Sequence, residues 1–472
     1  MAATQLKQIQ DVAGALLRSF QLGRHDGWTP ARLRQHQLRR LNALVRHAVE
    51  QSPFYRQHYR DLPLHQQIDL RSLPTVDKRI VMENFDRIVT DRRLTRAALE
   101  SEIGRSGPGS YFLGQYRVLS TTGTSGVRGI FVYDRPAWQI VLANTMRWRR
   151  FAGIRARLPR RLRICSIGAD VAAHISRSIP ESGDVGLFKL LALNALQPLP
   201  DLVAALNRFR PDVLMPYPSI AALLADQQVS GRLTIQPHAV LTHSEALSGE
   251  MRRRIAEAWQ ASVFDHYGLT EEPHVACECG EHAGLHIFED LSIVEVVDAD
   301  GAPVPSGMLG SRYLLTNLYN RVQPLIRYEV TDLIATTDEP CACGRPFARI
   351  VKIGGREEHM LLLRDRAGRQ VAVPPLTLTS SLDVMPELVE YELHHSAGRI
   401  AVAAVVREGV DQHALCARIA ERLGNVLRGL GAEPPEIVVE LPTALERCRE
   451  RMGKLEQVHV AQPRGGHADT VS

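Results

Sequence analysis

Between residues 201 and 266 the chain alternates helix and strand in an order that leaves few folds open. Asp201 to Phe209 reads as a helix and runs into Pro211-Asp-Val-Leu-Met-Pro216, a short apolar run that reads as a buried strand. His238-Ala-Val-Leu-Thr242 reads as a second strand, Ser248 to Gln260 as a helix, and Ser262-Val-Phe-Asp-His266 as a third strand. Strands joined by helices pair in parallel, and a parallel sheet needs layers of helix around it, so the expected class is layered α/β. The alternation extends from about residue 120 to about 350. Ahead of it, the first 110 or so residues read as mainly helical, with Leu38, Leu41, Leu44, Val45 and Ala48 on one apolar face. Leu62 to Thr75 is a proline-punctuated connector. Leu291 to Val297, Gly310 to Thr316 and Pro324 to Tyr328 read as short strands, with a turn at Asp298-Ala-Asp-Gly301.

Gly354-Gly355 reads as a hinge. Beyond it, Ile400 to Val406 (strand), Gln412 to Leu427 (helix) and Glu436 to Leu441 (strand) form a compact α+β unit. The expected organisation is a large multi-layer domain over 1–353 and a small one over 354–472. A chain of 472 residues is long enough for two to four domains, and 44% hydrophobic with 23% charged residues fits an ordinary globular protein. A net charge of +5 is too mild for a nucleic-acid footprint, and the arginine run from Arg147 to Arg163 reads as a solvated face. No stretch approaches the ~18–20 apolar residues of a membrane helix, and the N-terminus reads as no signal peptide. Seven cysteines, an odd number, argue against a disulfide framework and for a reducing compartment, the cytoplasm.

The segment Ser120-Thr-Thr-Gly-Thr-Ser-Gly-Val-Arg-Gly129 packs three glycines and five hydroxyls between two apolar runs, Tyr116 to Leu119 and Ile130 to Tyr133. Such a loop bends tightly and can turn N–H groups and hydroxyls toward a polyanion. It is not a P-loop, since the Gly-Lys-Ser/Thr ending is absent, and a plain hairpin turn is the alternative. Four further segments stand with it: Tyr267-Gly-Leu-Thr-Glu271 after a strand, Arg327-Tyr-Glu-Val-Thr-Asp332, Gly355-Arg-Glu-Glu358, and Gly453-Lys454. Taken singly, each has an ordinary role open to it: Glu271 a helix cap, Asp332 a partner for an arginine, Glu358 and Lys454 surface charges.

In this order the five segments resemble the adenylate-forming superfamily of acyl-CoA synthetases and adenylation domains. With Gln51-Ser-Pro-Phe-Tyr55, Gly284-Leu-His-Ile-Phe-Glu-Asp290 and Cys341-Ala-Cys-Gly-Arg345, the resemblance is to its phenylacetate-CoA ligase and CapK-like branch, over nearly the whole chain. It implies activation of a small carboxylic acid, aryl or arylacetic, as an acyl adenylate, and transfer to a thiol. Thr121, Thr122, Gly123, Thr124, Ser125 and Gly126 would hold the β- and γ-phosphates of ATP, with Arg128 where the motif carries a lysine. Thr270 would contact the α-phosphate and Glu271 would ligate Mg2+. Asp332 would accept the ribose hydroxyls and Arg356 would add a second ribose or phosphate contact. Tyr267, followed by Gly268, would stack near the adenine, and the Ser244-Glu245-Ala246 loop would edge it. Lys454 would bridge the carboxylate and the α-phosphate, and Glu358 would be the pivot of a mobile C-terminal lid domain. The implied acceptor is coenzyme A or a carrier-protein thiol, with no nucleic acid or membrane partner, and a homodimer is among the expected assemblies.

Two C-x-C pairs, Cys277/Cys279 and Cys341/Cys343, with histidines between them, invite a structural zinc site. The resemblance implies Cys279, His286, Cys341 and Cys343 as ligands, with Cys277 and His282 as rivals for the first two places. The chain departs from the branch after the hinge, where Leu361 to Pro374 replaces the usual pattern. That departure leaves open an adenylyltransferase, an amide-forming ligase with another acceptor, or a non-catalytic relative. If Lys454 has the implied role, Lys454→Ala lowers acid-dependent ATP–pyrophosphate exchange by roughly 100-fold or more while circular dichroism stays that of the parent; exchange at the parental rate removes the assignment.

Overall fold

The computed structural model describes residues 2–63, 67–103, 110–121, 128–154, 161–169, 174–183, 188–356, 360–396, 398–445 and 458–460. Residues 122–127 (the centre of the glycine loop), Glu358 and Lys454 lie outside them. The described residues fall into two compact units. The first comprises 1–247 and 251–353, the second 248–250, 354–445 and 458–460.

The first unit is built on a nine-stranded sheet. Its order is Asp332–Thr337, Arg349–Arg356, Leu285–Ile287, Ala276–Glu278, Ser262–Tyr267, Ala239–His243, Val213–Met215, Arg163–Gly168, Lys189–Asn194. The last five pair in parallel, as the alternation of helix and strand requires. Val213–Met215 and Ala239–His243 are buried at every residue, so both faces are covered. After Ser262–Tyr267 the chain turns back, and Ala276–Glu278 and Leu285–Ile287 continue the sheet antiparallel. Strand order reverses beside Arg163–Gly168, which has Lys189–Asn194 on one side and Val213–Met215 on the other; carboxyl ends of strands near such a reversal favour ligands. Near it an apolar cavity of about 40 Å³ is lined by Leu142, Met146, Ile164, Phe188, Leu190 and Met215, among others. A three-stranded antiparallel sheet (Ser292–Val297, Arg312–Asn317, Tyr328–Val330) and a hairpin (Tyr116–Ser120 with Ile130–Asp134) complete the β structure of this unit.

Several details differ from the expectations. Leu38 is exposed, whereas Leu41, Leu44, Val45 and Ala48 are buried along helix Pro30–Gln51. The strand expected at 324–328 begins at Tyr328, because Arg327 takes a left-handed backbone (φ 48°) that breaks extension before it. Gly354 and Gly355 lie inside strand Arg349–Arg356, with Gly355 at φ 101°.

The larger correction concerns Arg147, expected on a solvated face. It sits on helix Arg135–Phe151, whose start is capped by Asp134 accepting from Ala137 N–H. Its side chain is fully buried, within 4.9–5.7 Å of the Phe151, Phe288 and Phe347 rings. Burial is tolerable because two carboxylates meet the guanidinium. Nη1 donates to Asp290 at 2.9 and 3.1 Å, and Nε donates to Asp26 at 2.7 Å. His25 Nδ1 lies 2.6 Å from the other side of Asp290.

The second unit is smaller. Strands Glu436–Glu440, Arg399–Val406, Leu388–Ser396 and Val458–Val460 form its sheet, in that order. Helix Gln412–Gly429 contributes Leu415, Ile419, Leu423 and Leu427 to the core of this unit, together with Tyr391, Leu393, Ile400 and Val402. A separate hairpin pairs Leu361–Arg364 with Gln370–Val373.

Arg147→Ala should destabilise the first unit by about 3–5 kcal/mol, because it strands buried carboxylates; the shift in the urea-unfolding midpoint measures it. The same pair predicts a pH dependence. Burial pushes the Asp290 carboxyl up, but Arg147 and His25 reverse this and hold it below its ordinary value. The stabilisation is therefore present above the unfolded carboxylate range and lost as pH falls through the lower, folded pKa.

Candidate active site

Three of the sequence segments meet at the carboxyl edge of the parallel strands. The first contact is made by the hairpin that carries the glycine loop. At its neck Thr121 N–H donates to the Gly129 carbonyl (3.0 Å) and Gly129 N–H donates to Thr121 Oγ1 (2.8 Å). Arg128 Nη2 donates to Ser120 Oγ at 3.1 Å. The loop is thus closed at its base by backbone and hydroxyl bonds before any ligand arrives. Farther along the returning strand, the Tyr133 hydroxyl reaches the carbonyls of Thr270 (2.9 Å) and Glu271 (2.8 Å).

The segment Tyr267–Glu271 follows strand Ser262–Tyr267 directly. Its turn is tight: a side chain at Gly268 would collide with the Pro273 carbonyl and with the His266 ring, so glycine is required there. The segment Arg327–Asp332 then locks onto it at two points. The Tyr328 hydroxyl donates to Glu271 Oε1 at 2.9 Å. The Tyr267 hydroxyl donates to Asp332 Oδ2, and the Tyr313 hydroxyl sits 3.0 Å from that of Tyr267. Burial, with Asp332 beside it, pushes the Tyr267 phenol well above its ordinary value, so it stays a donor. Ahead of Tyr328, the Arg327 carbonyl accepts from Val76 N–H, and its guanidinium donates to Glu295 and to the Leu73 carbonyl.

Glu245 follows strand Ala239–His243, behind Ser244, whose backbone is left-handed (φ 70°). Its carboxylate accepts from Ser219 N–H at 3.0 Å, at the start of helix Pro218–Val229. Arg356 ends its strand, exposed, in the second unit. Thr122, Gly123, Thr124, Ser125, Gly126, Glu358 and Lys454 lie outside the described residues.

A second constellation gathers Cys279, His286, Cys341 and Cys343, with all four donor atoms within 4.8 Å of one another. Cys279 Sγ and Cys341 Sγ are 3.9 Å apart; Cys343 Sγ and His286 Nε2 are 3.3 Å apart. A tetrahedral zinc ion spaces such ligand atoms by roughly 3.5–3.8 Å, so three sulfurs and one imidazole here fit that ion. Neither rival belongs to the cluster: Cys277 is packed in the apolar core, and His282 turns to Glu278 and the Phe264 ring.

No protein-family model matches the sequence. The phenylacetate-coenzyme A ligase of Thermus thermophilus is 34% identical over 263 residues, 53% of this chain and 55% of that protein. The phenylacetate-coenzyme A ligase of Pseudomonas putida is 29% identical over 382 residues, 77% of this chain and 78% of that protein. The match to the Thermus protein thus spans about half its length. Among solved structures, 2-hydroxyisobutyryl-CoA ligase in its postadenylation state superposes with a TM-score of 0.74 at 20% identity, over 94% of this chain and 92% of that one, which is a likeness of fold. The fold is that of this CoA ligase, and the sequence is similar to phenylacetate-coenzyme A ligases.

The resemblance named Thr270, Glu271, Tyr267 and Asp332, and the structure brings them together. It also shows residues that motif reading left without a role. Tyr133 holds the carbonyls of Thr270 and Glu271, Tyr328 holds the Glu271 side chain, and Tyr313 meets the Tyr267 hydroxyl. Tyr328 stands inside a segment already singled out; nothing local in the sequence marks Tyr133 or Tyr313. If Glu271 has the implied role of Mg2+ ligand, Tyr328→Phe, which removes the donor that positions it, should raise the Mg2+ concentration giving half-maximal exchange by about tenfold, the worth of one hydrogen bond to a carboxylate, with the fold unaltered by circular dichroism.

Proposed function

We propose that the chain is an ATP-dependent, AMP-forming ligase. It activates a small carboxylic acid, aryl or arylacetic, and passes the acyl group to the thiol of coenzyme A. In the first step a carboxylate oxygen attacks the α-phosphorus of ATP and pyrophosphate leaves. In the second the thiolate attacks the acyl carbon and AMP leaves. The observation that carries this reading is the interlocking of Tyr267–Glu271 with Arg327–Asp332 beside the closed neck of the Ser120–Gly129 loop. An acyl transfer of this kind needs phosphate charge neutralised and a nucleotide fixed in place, and groups already held in position do so without reorganisation.

In this reading Thr121 to Gly126, with Arg128, cradle the β- and γ-phosphates. The Thr270 hydroxyl contacts the α-phosphate, Asp332 accepts from the ribose hydroxyls, and Arg356 adds a cation. Tyr267 and the backbone near Glu245 border the base. Lys454 neutralises the carboxylate and α-phosphate as they meet, and Glu358 is the pivot of the smaller unit. Glu271 would hold Mg2+, which supplies charge neutralisation at the phosphates. The Cys279, His286, Cys341 and Cys343 cluster would hold a structural Zn2+, leaving no open position for chemistry. The described residues contain no helix long and apolar enough to cross a membrane, and the reading places the enzyme in the cytoplasm. Segment 361–374 folds as a hairpin with an Asp365–Arg369 turn instead of the branch's usual sequence; this supports, as the second reading, an acceptor other than coenzyme A: an amine, a hydroxyl or a carrier-protein thiol.

The test is acid-dependent ATP–pyrophosphate exchange across aryl, arylacetic and short aliphatic acids, followed by product analysis with coenzyme A. Exchange with one acid class and a CoA-dependent thioester are expected. Exchange without a thioester selects the second reading. Folded protein that binds ATP yet exchanges with no acid overturns both.

A further inference from the structure

The smaller unit carries a cluster that acyl activation does not use. Strand Leu388–Ser396 lies between Arg399–Val406 and the C-terminal strand Val458–Val460. In the parallel pairing His394 stands directly beside His459. Alternation along a strand puts Glu392 on the same face as His394. The opposite face, with Tyr391, Leu393 and Val458, belongs to the core, so this trio lies on the outer side of the sheet. Glu392 Oε2 is 3.4 Å from His394 Nε2 and 3.8 Å from His459 Nε2. The two imidazoles stack at 4.4 Å, within 14° of parallel. The three donor atoms lie within 4.8 Å of one another.

Two neighbouring positions shape the approach. Across the antiparallel pairing, Glu392 faces Ala403 and His394 faces Ala401. A methyl group at each position adds little bulk beside the trio on that strand. Solvent also reaches the ligands unequally: the side chain of Glu392 is 10% exposed, that of His459 21% and that of His394 45%. The carboxylate is thus held at the base with both rings rising beside it.

We propose that Glu392, His394 and His459 form a second metal site, for a divalent ion of the zinc class. Two imidazole nitrogens and one carboxylate oxygen suit zinc and its neighbours; Mg2+ and Ca2+ take sites built of oxygen. Three protein ligands leave a position for water or another ligand, in contrast to the four ligands of the cysteine-rich cluster of the larger unit. The ion also cross-links the chain. Val458–Val460 is held to the sheet through three register pairs, and a metal shared by His394 and His459 pins it.

The test uses tag-free, full-length protein stripped of metal and titrated with Zn2+ and, separately, with Co2+. Two classes of site are expected. One gives a thiolate-to-cobalt charge-transfer band that is weakened in Cys343→Ser, which leaves two of the three thiolates. The other gives only ligand-field bands and is lost in His394→Ala, His459→Ala and Glu392→Gln. Each of those three changes should weaken the second class by at least the roughly 100-fold that loss of even an outer-sphere partner can cost. Zn2+ should also slow amide exchange at residues 458–460 in the parent and not in His394→Ala, a ring that lies on the solvent side and whose loss leaves the core in place. Metal uptake confined to the thiolate class, or a second class that persists in the His394→Ala/His459→Ala double variant, overturns the proposal and leaves Glu392 as an ordinary partner of two histidines.

Discussion

A buried positive charge organises the larger unit. Taking Arg147 out of water costs several kcal/mol, and only good geometry at its carboxylate partners offsets that. Those partners come from far away in the chain: Asp26 follows the first helix, and Asp290 lies at the end of the segment containing His286. The pair therefore fixes helix Arg135–Phe151 against the N-terminal helix on one side and the antiparallel end of the sheet on the other. An apolar residue in this place could slide; a guanidinium between two carboxylates has one register. The same helix carries Thr145, whose hydroxyl lies 2.8 Å from His274 Nε2, and Trp148, whose ring packs 4.4 Å from that of His266. Both histidines border the Tyr267–Glu271 turn. One helix thus transmits a salt-bridge register to the backbone that bears Thr270 and Glu271.

From that scaffold the site is held by phenol hydroxyls. Tyr133 reaches two main-chain carbonyls, Tyr328 donates to Glu271, and Tyr267 donates to Asp332. Burial pushes Tyr133, Tyr267 and Tyr328 well above the ordinary phenol value, so all three remain neutral donors across any working pH. A phenol suits this task. It is rigid, it fills space as an aromatic ring, and it presents one donor at a fixed distance from its backbone. The carboxylates are held in position by the fold itself, which in the proposed function is the condition for electrostatic stabilisation without reorganisation.

How much of this was legible depended on the range of the interaction. The parallel core was readable because helix and strand alternate locally, and strands such as Ala239–His243 are apolar throughout. Ala276–Glu278 and Leu285–Ile287 span three residues each, too short for a period to show. Arg147 was misread as solvated for a different reason: local charge density says nothing about carboxylates 121 and 143 residues away. The motif segments were visible as sequence. Their mutual locking was not, since Tyr133 belongs to no motif and meets Thr270 across a separation of 137 residues. The four residues that the resemblance implied are the ones the structure gathers, which sets aside the rivals Cys277 and His282. Cys279 stands just past the strand that contains Cys277, where the chain has left the sheet and can meet Cys341.

Glu245 shows why a motif position and a physical role are separate matters. The residue borders the proposed base site by its place after a parallel strand, yet its carboxylate accepts from Ser219 N–H at the start of helix Pro218–Val229. A negative charge there also meets the positive end of the helix dipole. Ser244 before it adopts a left-handed backbone, a conformation that costs about 1 kcal/mol or more outside glycine and persists only where the surroundings hold it. The Glu245–Ser219 bond is one such hold. The strain and the cap together turn the backbone of residues 244–246 across the carboxyl edge of the sheet. In this arrangement the Glu245 side chain holds the loop in place.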